Sequence, residues 1–153
     1  DLHLSIRRQR QMCIRDRRYS LYEAYEVRQV LETKAMDLIV RNATDSDLDE
    51  IETAYQTMLL RFAETNTTTG EFELHQLYAK KTGSVFMEQT LNIVLSTILE
   101  MMHTTSHNVM DMHQVEEEKA DHRRIIDALH KRDSSAAQQA MYDHIQHTLD
   151  ILQ

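Results

Sequence analysis

The chain has 153 residues, with 17 Lys and Arg against 25 Asp and Glu, and a net charge of −8 at pH 7. Its single cysteine excludes an intramolecular disulfide and a cysteine-rich zinc site. Two glycines and no proline argue against a β-sandwich or barrel, which needs many tight turns. No apolar run approaches the roughly 20 residues that span a bilayer, and the acidic balance argues against nucleic-acid binding by the chain itself.

The basic charge is concentrated at the start of the chain. Residues 1–18 hold six arginines and two aspartates, and residues 19–153 hold 11 basic and 23 acidic residues, a net charge of −12. The string RQRQMCIRDR in the first segment resembles a translated sequencing adapter. We therefore interpret residues 1–18 as non-native, with a disordered basic arm as the alternative, and place the domain at residues 19–153.

From residue 19 onward, apolar residues recur at spacings of three and four, which predicts helices throughout. The first helix is expected to cover about 20 residues and to bury a face that includes Val27 and Val30. Thr44 or Ser46 is expected to cap the second helix, because its hydroxyl can accept a hydrogen bond from a free backbone N–H.

Four further helices are predicted after the polar segment 65–70. The third runs from near Glu71 to a break at 82–84, and the next is expected to cover about 85–103. Residues 104–114 are either a loop or a continuation of that helix. The last two are expected over about 115–131 and 134–152, with Asp133 as a cap. The fold class is therefore all-α, an antiparallel bundle of about six to seven helices.

Two of the nine histidines are expected to meet inside this bundle. His122 lies on the apolar face of the fifth helix, and His144 lies on the apolar face of the sixth. Each is 11 residues from Asp133, the centre of the turn between the two helices. In an antiparallel hairpin, residues equidistant from the turn lie side by side, so the two imidazoles should face each other.

The third helix adds a carboxylate and another imidazole. Glu71 and His75 are four residues apart and share one helix face. Together with His122 and His144 they could form the ligand shell of a divalent metal such as Zn, Ni or Mn. The alternative is that these histidines are hydrogen-bonded residues of a metal-free core, and spacing alone leaves the two interpretations open.

The remaining histidines are weaker candidates. His103 and His107 are also four residues apart, but a solvated helix face explains them better than a metal site. His113, His130 and His147 are interpreted as surface or helix-end residues.

The order of several short motifs resembles the ligand-binding FCD domain of the FadR subfamily of GntR-type bacterial transcription regulators. The resemblance covers about residues 20–152. Its motifs are Glu26 to Glu32 (EVRQVLE), Ala43 to Leu48 (ATDSDL), Glu71 to His75 (EFELH), Thr82 to Ser84 (TGS), His122 to Leu129 (HRRIIDAL), Arg132-Asp133, and Met141 to Ile145 (MYDHI).

The resemblance implies a function and a ligand set. Metal-binding members of the family use an Asp and three histidines at the positions of Glu71, His75, His122 and His144, so this chain has Glu where the family usually has Asp. The family's effectors are mostly small organic acids, and its inward-pointing arginine corresponds to Arg28, a candidate effector contact. The alternative is that Arg28 is a surface arginine or is paired with Glu32. Asn92 and Ser96, which share one face of the fourth helix, are further candidate effector contacts.

The resemblance also implies partners. Such regulators are cytoplasmic homodimers that bind DNA through an N-terminal winged helix-turn-helix domain. Eighteen residues cannot hold that domain, so the chain as given is expected not to bind operator DNA. Two alternatives remain: a helical-bundle metalloenzyme, for which only Glu73 offers a candidate general base, and a metal-free structural or dimerisation bundle.

Overall fold

The structure is a computed structural model that describes the backbone of residues 2–65, 70–105 and 112–153 and the side chains of residues 20–64, 70–103 and 114–153. It confirms the predicted all-α bundle: the described backbone forms helices and no strand. None of these helices is both long enough and apolar enough to cross a membrane. The six helices are α1 (Leu2–Asn42), α2 (Asp45–Thr65), α3 (Glu71–Lys81), α4 (Val85–Thr105), α5 (Met112–His130) and α6 (Ser134–Leu152).

The helix ends follow the predicted caps. The Thr44 hydroxyl accepts a hydrogen bond from the backbone N–H of Asp47 at 3.1 Å, and the Asp47 carboxylate accepts one from the N–H of Thr44 at 2.8 Å. This reciprocal pair fixes the start of α2. Asp133 caps α6 by accepting from the N–H of Ala136 at 2.9 Å. Gly83 follows α3 with φ of +69°, a left-handed conformation that favours glycine.

The first helix differs from its prediction in length and in its buried face. It begins at Leu2, so the backbone of residues 2–18 continues it, while the foreign origin of that segment stays a prediction. Val27 and Val30 are exposed, and the buried face instead carries Arg28 and Glu32. Counting apolar residues missed this face because the two charged side chains neutralise each other inside the bundle.

The long α1 runs antiparallel to α6. Tyr22 contacts Gln153 near one end of the pair, Gln29 donates to the backbone oxygen of Tyr142 further along, and Asp37 accepts from Ser134 near the other end. Helices α5 and α6 form the predicted antiparallel hairpin, while α3 packs against α1, α2 and α4. The short α3 therefore faces the interior together with α1 and the hairpin, and this is where the polar core residues gather.

Candidate metal centre

Four buried side chains converge between α3 and the α5–α6 hairpin, and they are the four that the sequence predicted. Glu71, His75, His122 and His144 each offer one ligand atom, and these atoms all lie within 4.8 Å of one another. The two hairpin imidazoles face each other, with ring centroids 4.5 Å apart. We call these four residues the histidine centre.

The spacing of the converging atoms suits a metal shell. Nε2 of His75 lies 3.2 Å from Nε2 of His144, and Oε1 of Glu71 lies 3.4 and 3.5 Å from these two nitrogens. An ion with bonds of about 2.0–2.1 Å separates its neighbouring ligand atoms by roughly 3.0–3.4 Å. The separations among Glu71, His75 and His144 are close to that range, and the ligand atom of His122 lies within 4.8 Å of the other three.

The outer nitrogens of the three rings point at oxygen atoms. Nδ1 of His75 forms a short hydrogen bond to Glu32, and Nδ1 of His122 lies 3.3 Å from the hydroxyl of Tyr78. Nδ1 of His144 faces carboxylate oxygens of Asp121 and Glu118, each at 3.6 Å.

Metal-bound histidines typically donate their second N–H to an oxygen, which fixes the tautomer with the other nitrogen free to ligate. Nδ1 of His75 and Nδ1 of His122 have such an oxygen within hydrogen-bond distance, whereas Nδ1 of His144 does not. On the inner side, Nε2 of His122 is buried without a hydrogen-bond partner. The residues present therefore fit a divalent metal.

The electrostatics of the centre put two ligands in their metal-binding states. Burial lowers the pKa of His122 well below its usual range, and the neighbouring His144 and His75 lower it further, so His122 is neutral. Burial acts to raise the pKa of Glu71, but hydrogen bonds from His144 and His75 and the charge of Arg28 hold it well below its usual range. A neutral imidazole and an ionised carboxylate are the forms that ligate.

His144 is in the opposite state. Burial acts to lower its pKa, but Glu118, Asp121 and Glu71 together raise it to about 10. Burial and the charge of Glu71 raise the pKa of Glu118 to about 8. A metal ion bound here would therefore displace a proton from His144, which makes metal affinity dependent on pH.

Arg28 borders the histidine centre and is paired with Glu32, and its role as an effector contact stays a prediction. Its guanidinium is buried against the rings of Tyr25 and Phe72, and its Nε donates to Glu32 at 2.6 Å. Its Nη2 lies 3.5 Å from Oε1 of Glu71, yet it has no hydrogen-bond partner. Glu32 thus links Arg28 to His75, because its other oxygen accepts from that imidazole.

The other candidate effector residues lie elsewhere. Ser96 is exposed, and Asn92 is half-buried in a groove between α3 and α4 that also contains Glu73 and Lys80 on the outer face of α3. Their role as effector contacts stays a prediction. Glu73, the candidate general base, is exposed and paired with Arg61.

The other histidines whose side chains the structure describes are not among the four converging residues, although His147 contacts Asp121 at 2.9 Å. His103 is exposed, and the His130 and His147 side chains are 38% and 45% exposed. The prediction of surface positions is therefore confirmed for His130 and His147. The side chains of His107 and His113 lie outside the described residues.

Sequence reasoning missed four side chains that border the centre: Glu32, Tyr78, Glu118 and Asp121. Glu118 carried a usable signal, because it precedes His122 by four residues and must share its helix face. Tyr78 also carried one, because it follows His75 by three residues on the same helix. Asp121 carried none, since its contact with His144 depends on side-chain directions across the bundle.

The fold and the centre together define a helical-bundle domain with a buried histidine–carboxylate cluster. A family model for the FCD domain matches residues 23–147, so the chain belongs to the FCD domain family. The family and the fold inferred from the motifs are both confirmed.

Solved structures with this fold include GntR-type proteins. Streptococcus agalactiae GntR superposes with a TM-score of 0.73 at 22% identity, over 86% of this chain and 58% of that one. E. coli McbR/YncC superposes with a TM-score of 0.69 at 15% identity, over 85% of this chain and 62% of that one. The chain spans about three fifths of the length of these two proteins. A search of curated proteins found no match.

Proposed function

We propose that this chain is the effector-sensing domain of a bacterial GntR-type transcription regulator, and that it binds a divalent metal and a small organic acid at the histidine centre. The observation that carries the proposal is the convergence of Glu71, His75, His122 and His144 within 4.8 Å, with each outer ring nitrogen facing an oxygen. A metal-free core would leave Nε2 of His122 buried without a partner.

The acid would bind between the metal and Arg28. A bound divalent ion offers a coordination position to a carboxylate oxygen. The guanidinium of Arg28 offers the unpaired Nη2, and a planar guanidinium is well suited to a carboxylate. Arg28 is only 1% exposed, so the interaction would be formed away from bulk water and would be strong.

Helix α1 would transmit the effect of effector binding to the rest of the domain. This helix carries Arg28 and Glu32 and packs along α6 and against α3, which carry metal ligands. An acid that binds one arrangement of these helices more tightly than another shifts the population toward it. In a cytoplasmic homodimer, that shift would reach a DNA-binding domain in the part of the regulator that this chain does not span.

Metal analysis of the purified chain tests the centre. We expect about one equivalent of Zn, Ni or Mn in the wild type and almost none in a His122→Ala/His144→Ala variant. A His103→Ala/His130→Ala variant is the matched control, since it removes two exposed imidazoles and should retain its metal. If all three proteins contain equal, near-zero amounts of metal, the metal centre is excluded and the metal-free bundle is the remaining interpretation.

Sensing is tested separately by a thermal-shift screen against organic acids, with and without a chelator. We expect stabilisation by an acid in the metal-loaded protein and a smaller effect after chelation. The Arg28→Ala variant should bind the acid more weakly than the wild type and should still bind the metal. If the variant binds the acid as tightly as the wild type does, Arg28 is not an effector contact.

The metalloenzyme alternative depends on Glu118. This carboxylate is buried beside His122, at 3.8 Å between Oε2 and Nε2, and its raised pKa of about 8 would suit a general base. Metal-dependent ester hydrolysis by the wild type that is lost in Glu118→Gln would favour the enzyme. The FCD family membership favours the sensor.

A further inference from the structure

Nδ1 of His144 is a buried ring nitrogen without a hydrogen-bond partner. Two carboxylate oxygens face it at the same distance, since Oδ2 of Asp121 and Oε2 of Glu118 each lie 3.6 Å away. When Nε2 of this ring binds a metal, Nδ1 carries the remaining proton and is a donor. A hydrogen bond forms once one of the two oxygens moves closer by about half an ångström. The choice between the two carboxylates therefore decides how this ligand ring is held.

Two donors hold the carboxylate of Asp121. Arg124 forms a short ion pair with Oδ1, and Nδ1 of His147 lies 2.9 Å from Oδ2. An ionised carboxylate is an acceptor only, so His147 donates in this contact. The side chain of Asp121 is buried, whereas those of Arg124 and His147 are exposed. Asp121 thus connects the histidine centre to the surface of the α5–α6 hairpin.

The carboxylate of Glu118 lacks such support. Its Oε2, the atom that faces His144, has no hydrogen-bond partner. The same oxygen lies 3.8 Å from Nε2 of His122, which is also too far for a hydrogen bond. A side chain whose own conformation is fixed by other groups positions a ligand more precisely than one that is not. Asp121 is therefore the better support for His144.

We propose that Asp121 is the positioning residue that orients His144 as a metal ligand, and that Arg124 and His147 hold Asp121 in place from the surface. This inference rests on the proposed function. Asp121 accepts from Nδ1 of His144, which leaves Nε2 of that ring free for the metal. Two exposed side chains outside the histidine centre thereby influence its metal affinity.

Zinc affinity, measured by competition with a chromogenic chelator, tests the role of Asp121. Loss of the group that orients a metal-bound histidine typically weakens metal binding, so Asp121→Asn should lower zinc affinity about 10- to 100-fold. Glu118→Gln should bind zinc nearly as the wild type does. Asp127→Asn, which changes an exposed carboxylate on the same helix, is the control. An equal or larger loss in Glu118→Gln, or no loss in Asp121→Asn, overturns the proposal.

The ring proton of His144 shows whether a loss of affinity reflects orientation or a general loss of structure. In NMR spectra of the zinc-loaded chain with isotope-labelled histidines, an Nδ1–H that donates to a carboxylate gives a downfield resonance that exchanges slowly with water. This resonance should move upfield in Asp121→Asn and stay in place in Glu118→Gln. A resonance that moves at least as far in Glu118→Gln, or in neither variant, contradicts the proposal.

Variants of the two exposed residues test the connection to the surface. His147→Phe and Arg124→Met each remove a donor to Asp121, so both should lower zinc affinity, by less than Asp121→Asn does. His147→Phe should have a smaller effect in the Asp121→Asn background, because the two residues act through one contact. Equal losses in the two backgrounds, or no loss in either single variant, exclude the surface pair. His130→Phe, which changes another exposed histidine, is the control.

Failure of the proposed function looks different, because the wild type then binds no zinc. The metal-free chain still decides the orienting role, since the same resonance should again move in Asp121→Asn and not in Glu118→Gln. If Asp121→Asn does not fold, His147→Phe takes its place in both comparisons, with a smaller expected change.

Discussion

Two polar networks share α1, and they differ in how completely their groups are paired. At the corner where α1 and α2 meet the α5–α6 turn, Asp37 accepts hydrogen bonds from Lys34, Arg41 and Ser134. In the same corner, Arg132 donates to the backbone oxygens of Val40 and Ala43 and to the carboxylate of Asp45. We call Asp37, Arg132 and their partners the corner.

The histidine centre, one to three turns away along α1, leaves buried polar atoms unsatisfied. His122 and His144 each have one such atom, and so do Arg28 and Glu118, which border the centre. Under the proposed function, the corner serves the fold and the histidine centre serves a ligand. Groups whose partners all lie within the chain stabilise the helices, whereas converging buried groups without partners point to something that binds from outside.

The largest expected effect is the loss of metal-dependent stability. Metal at about 100 times its Kd should add about 2.7 kcal/mol to the free energy of unfolding, or roughly 5–10 °C in Tm. His122→Ala should abolish this shift, because it removes a buried ligand, while Arg132→Ala in the corner should keep it. Thermal melts with metal and with chelator measure both. The same shift in His122→Ala would mean that the metal binds elsewhere.

The next effect comes from Glu32, which orients His75 and holds Arg28. Glu32→Gln keeps the shape of the side chain but removes the charge that accepts from the imidazole. Metal affinity should fall about 10- to 100-fold, as is usual when the partner of a metal-bound histidine is lost.

A competition titration against a chromogenic chelator measures this change. Glu52→Gln is the matched control, since Glu52 is paired with Arg123 outside the centre and its loss should leave metal affinity unchanged. Equal losses in the two variants would show general destabilisation rather than a role in positioning His75.

A smaller effect is expected in the corner. Arg132→Ala removes the donors to the oxygens of Val40 and Ala43 and should lower the free energy of unfolding by about 1–3 kcal/mol, with metal affinity unchanged. Arg132 has a φ of +56°, a region that only glycine adopts without strain. Arg132→Gly should therefore be more stable than Arg132→Ala, by about 1 kcal/mol. Urea unfolding ranks the two, and a less stable glycine variant would contradict the assignment of strain.

The smallest effect is a dependence of the corner on pH. Hydrogen bonds from Lys34 and Ser134, together with the charge of Arg41, lower the pKa of Asp37 to about 2. Because the folded pKa lies below the unfolded value of about 3.9, the stabilisation is complete above the unfolded pKa. It is lost as the pH falls toward the folded pKa.

The stability difference between wild type and Asp37→Asn should accordingly be constant from about pH 5 to 7 and shrink toward pH 2. Unfolding curves across this range measure it. A difference that does not change with pH would show that the charge of Asp37 is unimportant.

Most of the fold followed from local signals. Thr44 and Asp133 marked helix starts through their capping chemistry, and the breaks at 65–70 and 82–84 separated α2, α3 and α4 as predicted. The four residues of the histidine centre followed from helix faces and from the symmetry of the hairpin about Asp133. These features depend on chain-local geometry, which the sequence encodes directly.

The rest depends on contacts between distant helices. The buried face of α1 was misassigned because Arg28 and Glu32 are buried as a pair, which hydrophobicity alone does not indicate. The four-residue spacing of Asn92 and Ser96 indicates that they share one face of α4. It does not indicate whether that face is turned toward the histidine centre. The unsatisfied state of Glu118 emerges only when α1, α3 and α6 close around it.

The carboxylate of Glu32 has one oxygen on Arg28 and the other on His75, and this imposes reciprocity on the two ligands. An acid at Arg28 and an ion at His75 share a single intermediary. Whatever factor the ion contributes to the affinity of the acid, the acid must contribute to the affinity of the ion, because the thermodynamic cycle closes.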